Sequence, residues 1–151
     1  KLAILANTAF GAKFSDDKKI PTTGIKSVTE ADFVRAHEMG GTIKLIAHAH
    51  RLGDGWTGWV APAFLPEGHM LHGVNDVFNG ILVTGDFVGD VMFYGRGAGS
   101  LPTASAIIGD IIEIARSVDQ PFRAAPWASA PAFVPDEPHY AWADTFIRAL
   151  V

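Results

Sequence analysis

The sequence predicts an α+β fold in which a mixed, largely antiparallel sheet carries helices packed on one face. Residues 43–51 alternate between apolar and polar side chains, a glycine-rich turn follows, and residues 56–66 return as a second strand, which predicts a β-hairpin. Residues 77–84 and 87–94 resemble two further strands around a turn at 85–86. Helical segments precede the first hairpin and follow the second. The strict alternation of strands and helices that a self-contained Rossmann unit requires is missing.

Three segments have the spacing of helices. The first places four apolar residues on one face, which predicts a buried helix: Leu2, Leu5, Ala6 and Ala9. The second begins at Thr29, which forms a capping-box pattern with Asp32, and ends at the glycine pair 40–41. One side of this helix carries Phe33, Val34 and His37. The third follows a glycine-rich loop and has an apolar face at helical spacing: Ala104, Ile107, Ile108, Ile111, Ala115 and Val118.

Length and composition indicate one packed globular domain and narrow its partners. The chain has 151 residues, of which 48% are apolar and 19% charged, which is enough for a real core. A net charge of −4 without a dense run of Lys or Arg argues against nucleic acid and anionic membranes as partners. No apolar run reaches membrane-spanning length, no secretion signal is seen, and there is no cysteine, so we expect a cytoplasmic protein.

Four histidines raise the question of a metal site. His48 and His50 lie two apart on a predicted strand and therefore point the same way, while His69 and His72 lie in a later loop. Neither a cysteine nor a closely spaced carboxylate completes a ligand set. We therefore expect no metal site.

Two other groups of residues have simple structural interpretations. Two of the three aspartates Asp76, Asp86 and Asp90 could form an acid–base pair. Each of them lies where a strand meets a turn, so we interpret them as solvated turn residues. Trp56 and Trp59 lie three apart on a predicted strand and should face opposite sides, packing in the core or at a subunit interface.

The most informative segment runs from Tyr94 to the third helix, with glycines at alternate positions 95, 97 and 99. Glycine lets backbone approach a ligand closely, although a tight turn uses the same residue. Lys1 is a second candidate. A lysine beside an apolar helix can be shielded from water and exchange a proton with a substrate, or it can extend to solvent.

The order of several segments resembles the catalytic domain of homoserine dehydrogenase. The similar segments are Lys1-Leu2-Ala3-Ile4-Leu5-Ala6, Ile43-Lys44-Leu45, Val74-Asn75-Asp76-Val77-Phe78-Asn79, 83–89 and 92–106. The resemblance extends from Lys1 to about Arg116, and its order and spacing are more specific than a glycine loop alone.

The resemblance implies a reaction and a set of residues. The family interconverts L-aspartate 4-semialdehyde and L-homoserine with NADP or NAD, on the route to threonine, methionine and isoleucine. Lys1 then corresponds to the catalytic lysine that passes a proton to and from the substrate oxygen. Gly99 and Gly97 correspond to backbone that lies against the cofactor, and Thr103 belongs to the same loop. A homodimer is expected, since the family dimerises through this domain.

The resemblance also implies a domain organisation. Residues 1–118 would form a catalytic and dimerisation domain and 119–141 a proline-rich connector. Residues 142–151 would form a terminal strand, which we interpret as the start of a regulatory domain. The family's Rossmann domain and its acidic substrate-binding residues lie upstream of Lys1, so we expect a segment of a longer, two-domain dehydrogenase. Two alternatives stay open: a non-catalytic dimerisation or effector-binding module on this scaffold, and a related semialdehyde dehydrogenase.

Overall fold

The computed structural model describes residues 1–11, 20–118 and 133–134. The helices are α1 (Leu2–Phe10), α2 (Glu30–Glu38) and α3 (Ser100–Ser117), with one 3-10 turn at Ile25–Ser27. The strands are β1 (Gly41–Leu52), β2 (Gly55–Pro66), β3 (Phe78–Gly85) and β4 (Gly89–Arg96). The chain divides into two compact units, one formed by Lys1–Pro66 with Ala124–Val151 and the other by Glu67–Arg123.

The predicted α+β class and both hairpins are confirmed. β1 pairs with β2 and β3 with β4, each in uninterrupted antiparallel register, from Gly41 opposite Pro66 and from Phe78 opposite Arg96. Within the described residues these are two separate two-stranded sheets. The parallel component is confined to two isolated bridges beside β2, Thr22 with Val60 and Trp56 with Phe133.

Two packed clusters of the first unit lie on one face of the first hairpin, while Ala61 and Leu65 are buried on the other face. Leu2 and Ala6, one turn apart on α1, pack with Ile20 around Trp56, which has no exposed surface. α2 packs through Ala36 against Ile43 of β1. Because side chains alternate along a strand, the register places Ile43, Ala49 and Trp56 on the same face, so both helices cover that face as predicted.

The predicted helix faces are partly wrong. Leu5 is 41% exposed and Ala9 is exposed, so α1 buries only the line through Leu2 and Ala6. In α2, Phe33 and Val34 are exposed and Ala36 alone is buried. A short helix touches a sheet along a narrow line, and apolar spacing does not show which part of a broad apolar face the sheet covers.

The second unit differs from the prediction at its turn. Gly85 pairs with Gly89, so β4 begins at Gly89 rather than Phe87, and the connecting residues are 86–88. Gly89 has a φ of 69°, the left-handed conformation that closes a three-residue hairpin loop. Phe87 is fully exposed at the tip of this loop.

The third helix forms as predicted but without a buried face. α3 begins directly after Gly99, and none of its residues is buried by the described part of the chain. Ile107, Ile108 and Ile111 each keep more than half of their surface exposed. The spacing of these residues predicts a helix with an apolar side, and it carries no information on what covers that side.

Most of the predicted connector and all of the terminal strand lie outside the described residues. Phe133 and Val134 are described, and they attach to β2. The Val134 N–H donates to the carbonyl of Trp56 at 2.9 Å, and the Phe133 ring packs edge-on against the Trp56 ring with centroids 4.9 Å apart. Among the helices in the described ranges, none combines the length and apolar character needed to span a membrane.

Candidate functional site

The glycine loop joins β4 to α3 and is fixed at both ends. The Gly97 N–H donates to the carbonyl of Val77 at 2.9 Å, which extends the pairing of the hairpin. The carbonyl of Gly99 accepts from the Thr103 N–H at 3.2 Å and from its hydroxyl at 2.8 Å. Gly99 has φ 122° and ψ 155°, a conformation that essentially only glycine adopts. The structure therefore brings Gly97 and Gly99 together in one constrained loop.

A shallow groove of about 550 Å³ lies on the second hairpin beside this loop. It is lined by Asn79, Ile81, Met92, Phe93, Tyr94, Gly95, Arg96 and Gly97. Asn79 is paired with Gly95 across the strands, and side chains alternate, so Asn79, Phe93, Gly95 and Gly97 share one face. A strip without side chains thus lies next to an amide and an aromatic ring.

The side chain of Asn79 leaves room only for a glycine at position 97. A Cβ placed on Gly97 would overlap the side-chain amide of Asn79. The glycine at this position is therefore explained by packing within the hairpin, independently of any ligand.

The opposite face of the hairpin is occupied by other contacts. The Phe78 and Tyr94 rings stack nearly parallel, with centroids 4.9 Å apart, and the Arg96 guanidinium lies 5.1 Å from the centre of the Phe78 ring. A Cβ on Gly80 would come within 2.9 Å of the side chains of Leu71 and Val74, so the preceding loop packs closely there. The open side of the hairpin is the side that carries Asn79.

Lys1 lies in the first unit, at the N-cap position of α1. Its carbonyl accepts from the Leu5 N–H at 3.1 Å, and its side chain is exposed. The next residue, Leu2, is buried against Trp56 together with Ala6. The backbone of Lys1 is thus placed by the packing of α1, while its ammonium group is accessible. Gly97 and Gly99 belong to the other unit.

The histidines adopt the predicted placement without forming a metal cluster. His48 Nε2 and His50 Nδ1 are 3.2 Å apart on one side of β1, and the His48 ring stacks on Trp59. Burial, and to a lesser extent electrostatic repulsion from His50, lowers the pKa of His48 below its usual value. His69 Nδ1 accepts from the Leu71 N–H at 3.1 Å and so closes a turn. No group of three or more potential ligands occurs among the residues described.

One aspartate has a clear structural partner. Asp90 accepts a hydrogen bond of 2.6 Å from the Thr84 hydroxyl across the second hairpin. Asp76 lies before β3 in a left-handed backbone conformation with φ 56°. These placements agree with the interpretation of both residues as turn and hairpin residues.

Comparison with solved structures first shows that the fold is similar to part of homoserine dehydrogenases. It superposes on a homoserine dehydrogenase structure from Thiobacillus denitrificans with a TM-score of 0.78 and 34% identity, covering 89% of this chain and 33% of that one. A homoserine dehydrogenase structure from S. aureus gives a TM-score of 0.68 at 33% identity, covering 82% and 31%.

Sequence comparison then identifies the family. The family model described as homoserine dehydrogenase matches residues 1–112, and the chain belongs to the homoserine dehydrogenase family. It is 44% identical over 122 residues to a homoserine dehydrogenase of Synechocystis, covering 76% of this chain. It is 39% identical over 116 residues to that of Lactococcus lactis, covering 77%. The chain spans 27% of the length of each of these two relatives.

Proposed function

We propose that the chain is the catalytic segment of a longer homoserine dehydrogenase that interconverts L-homoserine and L-aspartate 4-semialdehyde with NADP or NAD, in threonine, methionine and isoleucine biosynthesis. The match of residues 1–112 to the family model carries this proposal. Because the chain spans only 27% of its relatives, we further propose that it is inactive in isolation.

Lys1 is the proposed catalytic residue. In reduction of the aldehyde, negative charge develops on the substrate oxygen, and a positioned ammonium group both stabilises that charge and donates the proton. In the reverse direction the same nitrogen takes the proton from the hydroxyl of L-homoserine. This role rests on the resemblance to the family and on the buried Leu2, which holds the backbone of Lys1 at the start of α1. The Lys1 side chain itself is exposed, so the described residues do not shield it from water.

Gly97 and Gly99 are the proposed cofactor-binding residues. When bound, the nicotinamide supplies or accepts the hydride. The residues present fit the edge of such a flat group, because Gly95 and Gly97 leave a strip without side chains along the groove and Gly99 turns the backbone directly after it. The remainder of the cofactor is assigned to a nucleotide-binding domain that precedes Lys1.

The proposal extends to organisation. The protein acts as a cytoplasmic homodimer on a small-molecule substrate. Residues 1–118 form the catalytic and dimerisation domain, 119–141 a connector, and 142–151 the approach to a further domain. Size-exclusion chromatography with light scattering on the full-length protein tests the dimer.

The test of the activity uses the full-length protein with L-homoserine and either NADP or NAD, followed by the absorbance of the reduced nicotinamide. Lys1→Ala is expected to lower kcat by about 10²- to 10⁴-fold, the usual contribution of a positioned acid or base. Lys26→Ala, at an exposed lysine in the 3-10 turn, is the matched control and should retain wild-type kcat. Unchanged turnover in the Lys1 variant would support a non-catalytic module instead.

A further inference from the structure

The groove contains one polar side chain that the proposed function leaves without a role. We propose that Asn79 is a cofactor-binding residue whose side-chain amide hydrogen-bonds the carboxamide of the nicotinamide ring, and whose packing on Gly97 holds the glycine loop in place. This inference rests on the proposed function, because it assigns one ligand group to one residue of the same site.

The position of Asn79 is determined by the strand register. Asn79 pairs with Gly95, and its side chain reaches the next residue of the same face, Gly97. The amide occupies the space in which a Cβ of Gly97 would lie. Any movement of the Asn79 side chain therefore changes the packing of the loop that leads to Gly99.

Within the part of the chain that the structure describes, the side-chain amide of Asn79 has no hydrogen-bond partner. Neighbouring polar groups are paired there: Gly97 N–H with Val77, the Thr84 hydroxyl with Asp90, and Thr103 with Gly99. A primary amide offers two donors and a carbonyl acceptor. Asn79 is exposed, so water satisfies these groups while the groove is open. A ligand that covers the groove must replace those hydrogen bonds or lose affinity.

The chemistry of the groove favours an uncharged, planar partner with its own amide. Phe93, 62% exposed, and Ile81, 40% exposed, provide apolar surface on the same face as Asn79. Arg96 contributes to the lining, but its guanidinium lies over Phe78 on the other face. The charged ammonium and carboxylate groups of the amino-acid substrate call for charged partners, which this face does not offer. Two primary amides, by contrast, pair donor to acceptor in both directions.

The first experiment measures recognition in the full-length protein. Asn79→Leu keeps a side chain of similar size against Gly97 and removes both hydrogen-bonding groups. It is expected to raise the KM for the reduced cofactor about tenfold, as loss of one or two neutral hydrogen bonds does, with the KM for the semialdehyde unchanged. Thr84→Ala, at the other end of β3, is the control and should leave both KM values unchanged.

A cofactor analogue separates recognition from a general effect on the fold. The 3-acetylpyridine analogue keeps a carbonyl but lacks the N–H donors of the carboxamide. The wild-type enzyme should prefer the natural cofactor, and Asn79→Leu should lose most of that preference. A variant that retains the preference, or that raises the KM for the semialdehyde instead, overturns the proposal.

A second pair of variants tests the packing and does not depend on Asn79→Leu folding well. Gly97→Ala should raise the cofactor KM and lower the melting temperature, because the new methyl group overlaps the Asn79 amide. Adding Asn79→Ala should restore the melting temperature towards wild type, although the cofactor KM should stay high. Absence of this rescue contradicts the packing part. A wild-type protein without homoserine dehydrogenase activity would refute the proposed function itself, whereas an active protein indifferent to Asn79 would refute only this inference.

Discussion

Replacing Trp56 by alanine removes the side chain around which the first unit is packed. Trp56 has no exposed surface, and it contacts Leu2 and Ala6 of α1. Its ring also packs against two aromatic rings, with centroids 6.2 Å from Phe10 and 4.9 Å from Phe133. Loss of this side chain therefore weakens the attachment of α1 to the first hairpin.

The magnitude follows from the buried area. A fully buried tryptophan removes about 200 Å² from water, which at about 25 cal/mol per Å² corresponds to about 5 kcal/mol. Part of this is recovered because the remaining methyl group stays buried and the cavity relaxes. The expected loss in free energy of unfolding is about 3–5 kcal/mol, the range seen for such truncations.

The assay is urea unfolding of the chain, followed by circular dichroism so that loss of the indole does not remove the signal. Trp59→Ala is the matched control on the same strand. Trp59 is only partly buried and stacks on His48 on the opposite face, so its loss should lower the free energy of unfolding by about 1 kcal/mol. If Trp56→Ala were no more destabilising than Trp59→Ala, the assignment of Trp56 as the centre of this core would be wrong.

Three further predictions test other parts of the fold. The lowered pKa of His48 means that the unfolded chain binds more protons, so stability falls as pH drops through the usual histidine value of 6.5. His48→Gln should flatten this dependence in melting curves from pH 7.5 to 5.5, whereas His50→Gln should weaken it only in part, because burial is the larger cause of the shift. Thr29→Ala removes the hydroxyl that caps α2 and bonds to the Asp32 carboxylate at 2.8 Å, so it should lower the free energy of unfolding by about 1 kcal/mol, while Thr29→Ser should retain most of it. Ala6→Leu inserts a larger side chain at a site 2% exposed and should lower the free energy of unfolding by about 1–3 kcal/mol, whereas Ala9→Leu, on the exposed side of α1, should have little effect.

Features that depend on neighbours in sequence were predictable. Both hydrogen bonds of the Thr29–Asp32 capping box form, because cap geometry is determined by residues three apart in the sequence. Trp56 and Trp59 face opposite sides of β2 as expected, since alternation along a strand follows from backbone geometry alone. The glycine loop before α3 was predicted on the same local basis.

Features that depend on what lies across the fold were not predictable. Phe87 and Val88 are apolar and favour a strand locally, yet the pairing of Gly85 with Gly89 places them in the turn. The burial of Ala36 in place of Phe33 depends on how closely α2 approaches β1. The contact between Asn79 and Gly97 joins residues of two strands, and only the register of the hairpin brings them together. The sequence signal for this contact is that the predicted strand containing Asn79 pairs with a strand that ends in the glycine-rich segment.

Core packing and the candidate site are linked through α1. Leu2 and Ala6 lie one turn apart and are both buried, so they fix the rotation of the helix as well as its position. Lys1 directly precedes Leu2, and its carbonyl begins the hydrogen bonding of α1. A change in the rotation of α1 would therefore redirect the backbone of Lys1 without altering its ammonium group. The proton-donor role proposed for Lys1 therefore predicts that the packing of Leu2 and Ala6 matters for activity. A variant such as Ala6→Leu should lower kcat in the full-length protein more than Ala9→Leu does.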